Sequence, residues 1–570
     1  MRAFLLKAQL FGLITALILQ AMAVQPATAE ERAHGRSMVI THYGIVATSY
    51  VQASQAGARI LERGGSAIDA GIAANAVLSV AEPMMNGIGG DLFAIYWDAK
   101  TGKLYGLNAS GWAPGALTID HLRAKGITAM PQKGIDAVTV PGAVDGWTKL
   151  HDRFGKLPWS DLFQPAIFYA QNGVPIPEAI SAYWADTVAE LKTNPESQHV
   201  FLLNDQPPAI GQVFRNPELA KTLATLAREG ESAFYQGSIA QAILKTSNDL
   251  GGTMTAEDLS QFSAEWVEPV STTYRGWKVY ELPPNGDGIA ALEMLNILEQ
   301  SQPSPAGPLS TAELHTRIEA MKLAYADVKA YDGDPKFSTI PVEQLLSKSF
   351  AAKRASLIDP AKANCHVTPG ALTGSDTTYL SVVDKQGNIL SLIQSNYSAF
   401  GSDVTVEGQG FVLQNRGGLF SLDPKSPNAL AARKRPFHTI IPGFMEHGDL
   451  HIGFGIMGGL NQPLAHAQFV SNFVDYRMNL QAALEEARFT VNSKLGCNIV
   501  IESRVPKATL DELTAMGHVL DVRKEYSTTM GRGQAVLVDS SAGIHYGASD
   551  PRADGSAEPE SPNLFAPQPE

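Results

Sequence analysis

The longest apolar run of the chain stands at its start. Arg2 and Lys7 form a short positive head, and Leu10 to Val24 is apolar apart from Thr15 and Gln20. Ala27-Thr28-Ala29 then has the small-x-small form of a cleavage site. Residues 1–29 read as a signal peptide. The alternative is an N-terminal membrane anchor, but the run falls short of the ~20 residues of a bilayer span. The expected mature chain begins near Glu30 and is exported, periplasmic or secreted. No later stretch is long and apolar enough to cross a membrane.

Beyond it the rhythm is first helical. Gln52 to Arg63 has helical spacing and stops at Gly64-Gly65. Ser66 to Asp69 has the form of an N-cap with an acid in the first turn, opening an Ala- and Gly-rich helix to about Val80 that is suited to close packing on a sheet. Gly87-Ile88-Gly89-Gly90 predicts a tight loop before a strand, Leu92 to Trp97. Residues 140–330 are mostly helical in pattern, and Glu313 to Tyr331 is the clearest amphipathic helix. Trp277 to Leu282 reads as a strand ending in the turn signal Pro283-Pro284-Asn285-Gly286. Ser301 to Ser310 reads as a surface loop. After about residue 375 period-two alternation takes over. Thr378 to Asp384 and Ile389 to Ser395 predict a hairpin around Lys385–Asn388. Strand-like pieces follow at Gly410–Leu413, His451–Ile456 and Gln534–Val538, and the last twenty residues read as loose. The alternation predicts a layered α/β architecture.

Composition narrows the function. The chain has 570 residues and a net charge of −13, which argues against sequence-independent binding to nucleic acid or to anionic membrane. Two cysteines, Cys365 and Cys497, exclude a disulfide framework, a Cys-rich zinc site and a Cys-ligated cluster. In an oxidising compartment they could pair, which their spacing does not decide. The 13 histidines show no metal-ligand spacing, so no metal and no cofactor are expected. The Gly87–Gly90 loop lacks the rest of a phosphate-binding motif, and no G-x-S-x-G elbow is present.

The informative segment is Asp376-Thr377-Thr378. Two threonines opening a strand are ordinary β-formers. Read chemically, cutting the Asp376–Thr377 bond would give Thr377 both a hydroxyl and an α-amine of pKa ~7.7–8.0. Such an amine can take the hydroxyl proton near neutral pH.

Other segments add to this one. Ala53–Gly57 with Gly64–Ala70, Glu82-Pro83, Val140–Ala143, Glu319–Ala324 with Asp327, Thr377-Thr378, Ser381–Asp384, Lys434–Pro436, Gly458-Gly459 and Asp550–Arg552 occur in order. Together they resemble the γ-glutamyltransferase family of N-terminal nucleophile hydrolases across nearly the whole mature chain, near its oxamate amidohydrolase and acylase-like branch. The resemblance implies an α/β (α+β) fold, a four-layer αββα sandwich. It implies self-cleavage into a large chain, 30–376, and a small catalytic chain, 377–570, intertwined in one domain.

Carried over residue by residue, the resemblance makes Thr377 the nucleophile and Thr378 the family's second threonine. Ser395 becomes the hydroxyl that steadies the new amine, and Gly458 and Gly459 supply the oxyanion-hole amides. The pocket departs from the family. Its carboxylate-binding Arg is Ser110 here. Its glutamyl-binding Asn is Tyr397, although Asn396 is adjacent. Its two ammonium-binding residues are Arg416 and Leu419, and its two carboxylate-binding serines are His438 and Thr439. Replacing an anion by Arg416 predicts an acyl head with a negative charge and no amine, gripped by the guanidinium. The Leu422–Arg433 loop is shorter than the substrate lid of lid-bearing relatives, which favours hydrolysis over transfer.

The expected protein is thus an exported, self-processing amidohydrolase or acyltransferase. γ-Glutamyl compounds such as glutathione, oxamate-type amides and glutaryl amides remain open as substrates. A periplasmic solute-binding protein is the alternative of another class, and a processed but inactive relative is a third.

Overall fold

The structure is a computed structural model in which residues 34–367, 376–491 and 496–562 are described. The expected signal peptide lies outside these residues, as do Gly374 and Ser375 on the approach to Thr377.

Two seven-stranded antiparallel sheets form the centre. The first runs Ser556–Pro559, Ile45–Thr48, Asp376–Val383, Ile389–Tyr397, Asp91–Asp98, Lys103–Ala109, Glu265–Val267. The second runs Val39–Thr41, Ile544–Ser549, Arg532–Asp539, Leu450–Met457, Gly443–His447, Trp277–Glu281, Val270–Tyr274. Their inner faces share one apolar layer, with Phe93, Tyr379 and Ile393 from the first sheet meeting Phe444, Met457 and Val536 from the second. Each outer face is covered by helices over its own core. The result is the four-layer αββα sandwich, and both sheets combine strands from before and after Thr377.

The helix on the first sheet shows how sequence sets packing. Ala67–Ala81 is buried along its whole length and opens with a reciprocal capping box between Ser66 and Asp69. A side chain at Gly71 would strike Leu390 Cδ2 at 2.3 Å, so the small residues let the helix lie close on the sheet. The hairpin forms as Asp376–Val383 and Ile389–Tyr397.

Several expectations need correction. The helix Thr311–Tyr331 does not present a polar face to water: Glu313, Arg317, Glu319 and Lys322 are buried with its apolar side. The Arg317–Glu313 and Lys322–Glu319 ion pairs set opposite charges beside each other within the helix. The end of the chain is not uniformly loose, because Ser556–Pro559 pairs with Ile45–Thr48 at a sheet edge. Gly410–Leu413 is not a strand and contributes only an isolated bridge, Thr405 to Val412. Cys365 and Cys497 are joined in a disulfide, as the exported reading allows.

Candidate active site

Thr377 stands at the head of an inner strand with its side chain fully buried. Opposite it the register slips: Asp376 faces Tyr397 and Thr378 faces Gln394, so Thr377 opposes both Ser395 and Asn396. Such a bulge re-aims side chains. Here it brings the Ser395 hydroxyl to 3.2 Å from Thr377 Oγ1, which donates to it. Ser395 Oγ also accepts from the Tyr397 amide at 2.8 Å. Tyr397 takes up the distortion with φ of +77°, a conformation bulky side chains rarely adopt.

Thr378 is turned to the other face. Its hydroxyl donates to Glu82 Oε2 and accepts from Asn86 Nδ2, both at 3.1 Å. Glu82 also accepts from Ser49 Oγ, and burial pushes its carboxyl up. Asn396 faces this side too, its amide donating to the Pro83 carbonyl.

Gly458 and Gly459 follow the strand Leu450–Met457, which faces the Thr377 strand across the inter-sheet layer. Ser381 Oγ donates to the Gly453 carbonyl, and the Tyr379 ring fills the space over Gly455. Gly458 has φ of +134° and Gly459 of +61°, which glycine adopts without a Cβ penalty. Their carbonyls accept from Asn461 and Gln462 in the first turn of the next helix.

Arg416 opens a short 3-10 turn and is fully buried. Its guanidinium lies 4.7 Å from the Tyr397 ring centroid, and Nη1 donates to Thr439 Oγ1 at 2.7 Å. Nε and Nη2 have no partner among the described residues. Burial lowers its pKa to about 10, against the opposing pull of Asp91, Tyr397 and Asp287. His438 Nε2 lies 3.1 Å from Asp91 Oδ2. Burial and the Arg416 charge hold this imidazole neutral, so an Nε2–H toward Asp91 leaves Nδ1 as an unpartnered acceptor. Asp91 Oδ1 accepts from the Gly111 and Gly142 amides. Burial raises its pKa to about 7 although Arg416 lowers it.

Thr377, Ser395 and Tyr397 thus adjoin Arg416, Thr439 and His438. Ser110 joins them indirectly: its hydroxyl donates to Asn108 Oδ1 and accepts from Asn285 Nδ2. Leu419 packs on the core beneath the second sheet. Sequence reasoning missed Asp91 and Asp287. Asp91 directly follows the Gly87–Gly90 loop, and Asp287 ends the Pro283–Gly286 turn signal, so each was hidden behind residues read as punctuation.

Among the described residues one group, His315, Glu319 and His518, brings three ligand-type atoms within 4.8 Å of one another. Lys322 Nζ sits 2.7 Å from Glu319 Oε1, and His315 Nε2 is 2.8 Å from the Asp359 carbonyl. The Lys322 ammonium thus already neutralises Glu319, while His518 Nδ1 has no partner among the described residues.

Comparison with known proteins identifies the family. A sequence profile of the gamma-glutamyltranspeptidase family matches residues 53–560. The glutathione hydrolase-like YwrD proenzyme of Bacillus subtilis is 38% identical over 92% of this chain and 99% of its own. The oxamate amidohydrolase proenzyme of Klebsiella pneumoniae is 33% identical over 91% and 99%. The crystal structure of cephalosporin acylase from Bacillus halodurans superposes with a TM-score of 0.87 at 40% identity, covering 94% of this chain and 99% of that one. The chain is an enzyme that belongs to the gamma-glutamyltranspeptidase family, in its acylase-like branch.

Proposed function

We propose that the protein is exported, cuts itself between Asp376 and Thr377, and then uses Thr377 to hydrolyse the amide of an acyl donor that carries a carboxylate. The observation that carries this reading is the strand-heading Thr377 with the Ser395 hydroxyl 3.2 Å away. In the cut, Thr377 Oγ1 attacks the Asp376 carbonyl, the acyl group moves from nitrogen to oxygen, and water hydrolyses the ester. The products are the Asp376 carboxylate and a free Thr377 amine.

That amine then accepts the Thr377 hydroxyl proton as the oxygen attacks the substrate amide. The amides of Gly458 and Gly459 hold the oxyanion. The leaving amine departs with the proton, and a second water releases the acid and regenerates Thr377. Arg416 grips the acyl carboxylate through its unpaired Nε and Nη2, with the neutral His438 and Thr439 beside it. The relatives' names span glutathione, oxamate and cephalosporin, so amide cleavage is the common element. The Cys365–Cys497 disulfide fits an oxidising compartment.

The test is intact mass of purified protein. The expected small chain runs from Thr377 to Glu570, and Thr377→Ala should stay whole. A folded wild type that remains one inactive chain rejects the mechanism.

A further inference from the structure

The side of the nucleophile strand turned away from the Thr377 hydroxyl carries a buried acid that the proposed chemistry leaves unused. Glu82 is the C-cap residue of the helix Ala67–Ala81 and is fully buried. The C-terminal end of a helix and the protein interior are both unfavourable places for a carboxylate, so helix stability does not account for it. Its Oε2 accepts from Thr378 Oγ1 at 3.1 Å and from Ser49 Oγ at 2.9 Å, while Oε1 has no partner among the described residues. Two hydroxyls donating to one oxygen favour the charged form of the acid. Asn86 Nδ2 donates to Thr378 Oγ1, so the single proton of that hydroxyl is committed to Glu82.

Thr378 directly follows Thr377, whose nitrogen becomes the α-amine when the chain is cut. Successive Cα atoms are ~3.8 Å apart, so a carboxylate bonded to the Thr378 hydroxyl lies within about 10 Å of that amine. Charges at this range still interact inside a protein, where the effective dielectric constant is ~20. The surroundings of both groups are mixed. Burial pushes the Glu82 carboxyl up, Arg532 and the two hydroxyls pull it back, and Asp554 adds to the rise. Tyr50 is near enough to feel the acid. Arg532 stands across from Met457 in the second sheet. On the other side of Thr377, Ser395 is in register with Asp91, which burial raises to about 7, and Arg416 lies against the Tyr397 ring.

We propose that Glu82 is a positioning residue for the nucleophile: through Thr378 it fixes the head of the strand, and its negative charge keeps the Thr377 α-amine basic enough to take the hydroxyl proton. This rests on the cut and the amine-assisted attack proposed above. Burial favours the neutral amine, whereas a nearby carboxylate favours the ammonium, so the two opposing effects hold the amine near its ordinary range. Without the carboxylate burial prevails, and the amine becomes a weaker base that sheds its extra proton at lower pH.

The test is the pH profile of kcat for processed protein, read on the glutaryl or γ-glutamyl 4-nitroanilide, whichever wild type cuts faster. Glu82→Gln keeps an acceptor for both hydroxyls and removes the charge. It should move the acid limb down by about half to one pH unit and lower the plateau severalfold, because a less basic amine takes the proton less readily. Glu82→Asp keeps the charge and should leave the limb within about 0.3 unit of wild type. The Glu82→Gln shift should persist in an Asp91→Asn background, which removes the other acid that titrates in this range. Glu82→Ser, which leaves room for water to serve the two hydroxyls, gives the same reading if Glu82→Gln does not fold or cut. A limb that stays in place, moves up or disappears when the charge is lost overturns the assignment. So does an equal shift in Glu82→Asp, or a wild-type profile with no acid limb. Intact mass of each sample reads the Thr377 cut independently, so failure of this role and failure of the Thr377 mechanism are distinguishable.

Discussion

The nucleophile strand and the pocket beside it are built to opposite rules. Along the strand the hydroxyls are already committed, Thr377 to Ser395 and Thr378 to Glu82 and Asn86. In the pocket, Arg416 and Asp287 keep polar atoms without partners among the described residues although both are fully buried. The strand is finished before any substrate arrives, whereas the pocket is finished only by one. Preorganised hydroxyls suit a reaction centre that treats all amides alike. Unpaired charges suit a site that chooses among them, since a ligand lacking the matching group leaves them uncompensated.

This contrast is open to attack by mutation. Thr377→Ala is expected to abolish cutting and to lower hydrolysis of every substrate by at least about a thousandfold. Residual turnover near wild type would place the nucleophile elsewhere. Gly459→Ala should slow kcat by about a hundredfold for all acyl donors alike, with the fold checked by circular dichroism. A change in substrate ranking would assign that turn to the pocket instead. Arg416→Leu should raise KM for carboxylate-bearing donors roughly tenfold and leave neutral donors unaffected. A uniform fall in kcat would merge the two regions into one.

The smallest effect concerns pH. Asp91 has its pKa raised to about 7. It is neutral below that value and charged above it, where it competes with a ligand carboxylate for Arg416. Glutarate should therefore bind a few times more weakly at pH 8 than at pH 6. Asp91→Asn should flatten the profile, and a profile unchanged by that substitution would detach Asp91 from the pocket.

The same contrast governs what could be read from the chain alone. The hairpin around Thr377, the capping box at Ser66 and the buried Ala67–Ala81 helix were legible because they rest on local pattern: alternation, a cap, small residues. The polar side of Thr311–Tyr331 misled because its salt bridges lie within one helix and allow it to be covered by distant elements. The pocket was least legible. Asp287 meets His438 across 151 residues of sequence, as the Asn285–Pro436 bond beside it shows, and no local period marks a carboxylate left unpaired. Arg416 was visible as a departure, but its counter-charge lay in a turn whose Pro and Gly suggested only a change of direction.

The disulfide has a consequence for how the cut protein recovers from unfolding. Cys365 lies before Thr377 and Cys497 after it, at a sequence separation of 132, so the proposed cut leaves the two pieces covalently joined. Because both sheets take strands from each piece, neither piece has a complete sheet to fold around by itself. Without the bond, refolding after the cut would be a second-order encounter whose rate falls with dilution. With it, each half sees the other at a fixed effective concentration, on the order of millimolar for a short flexible tether, and recovery stays first-order however few molecules are present.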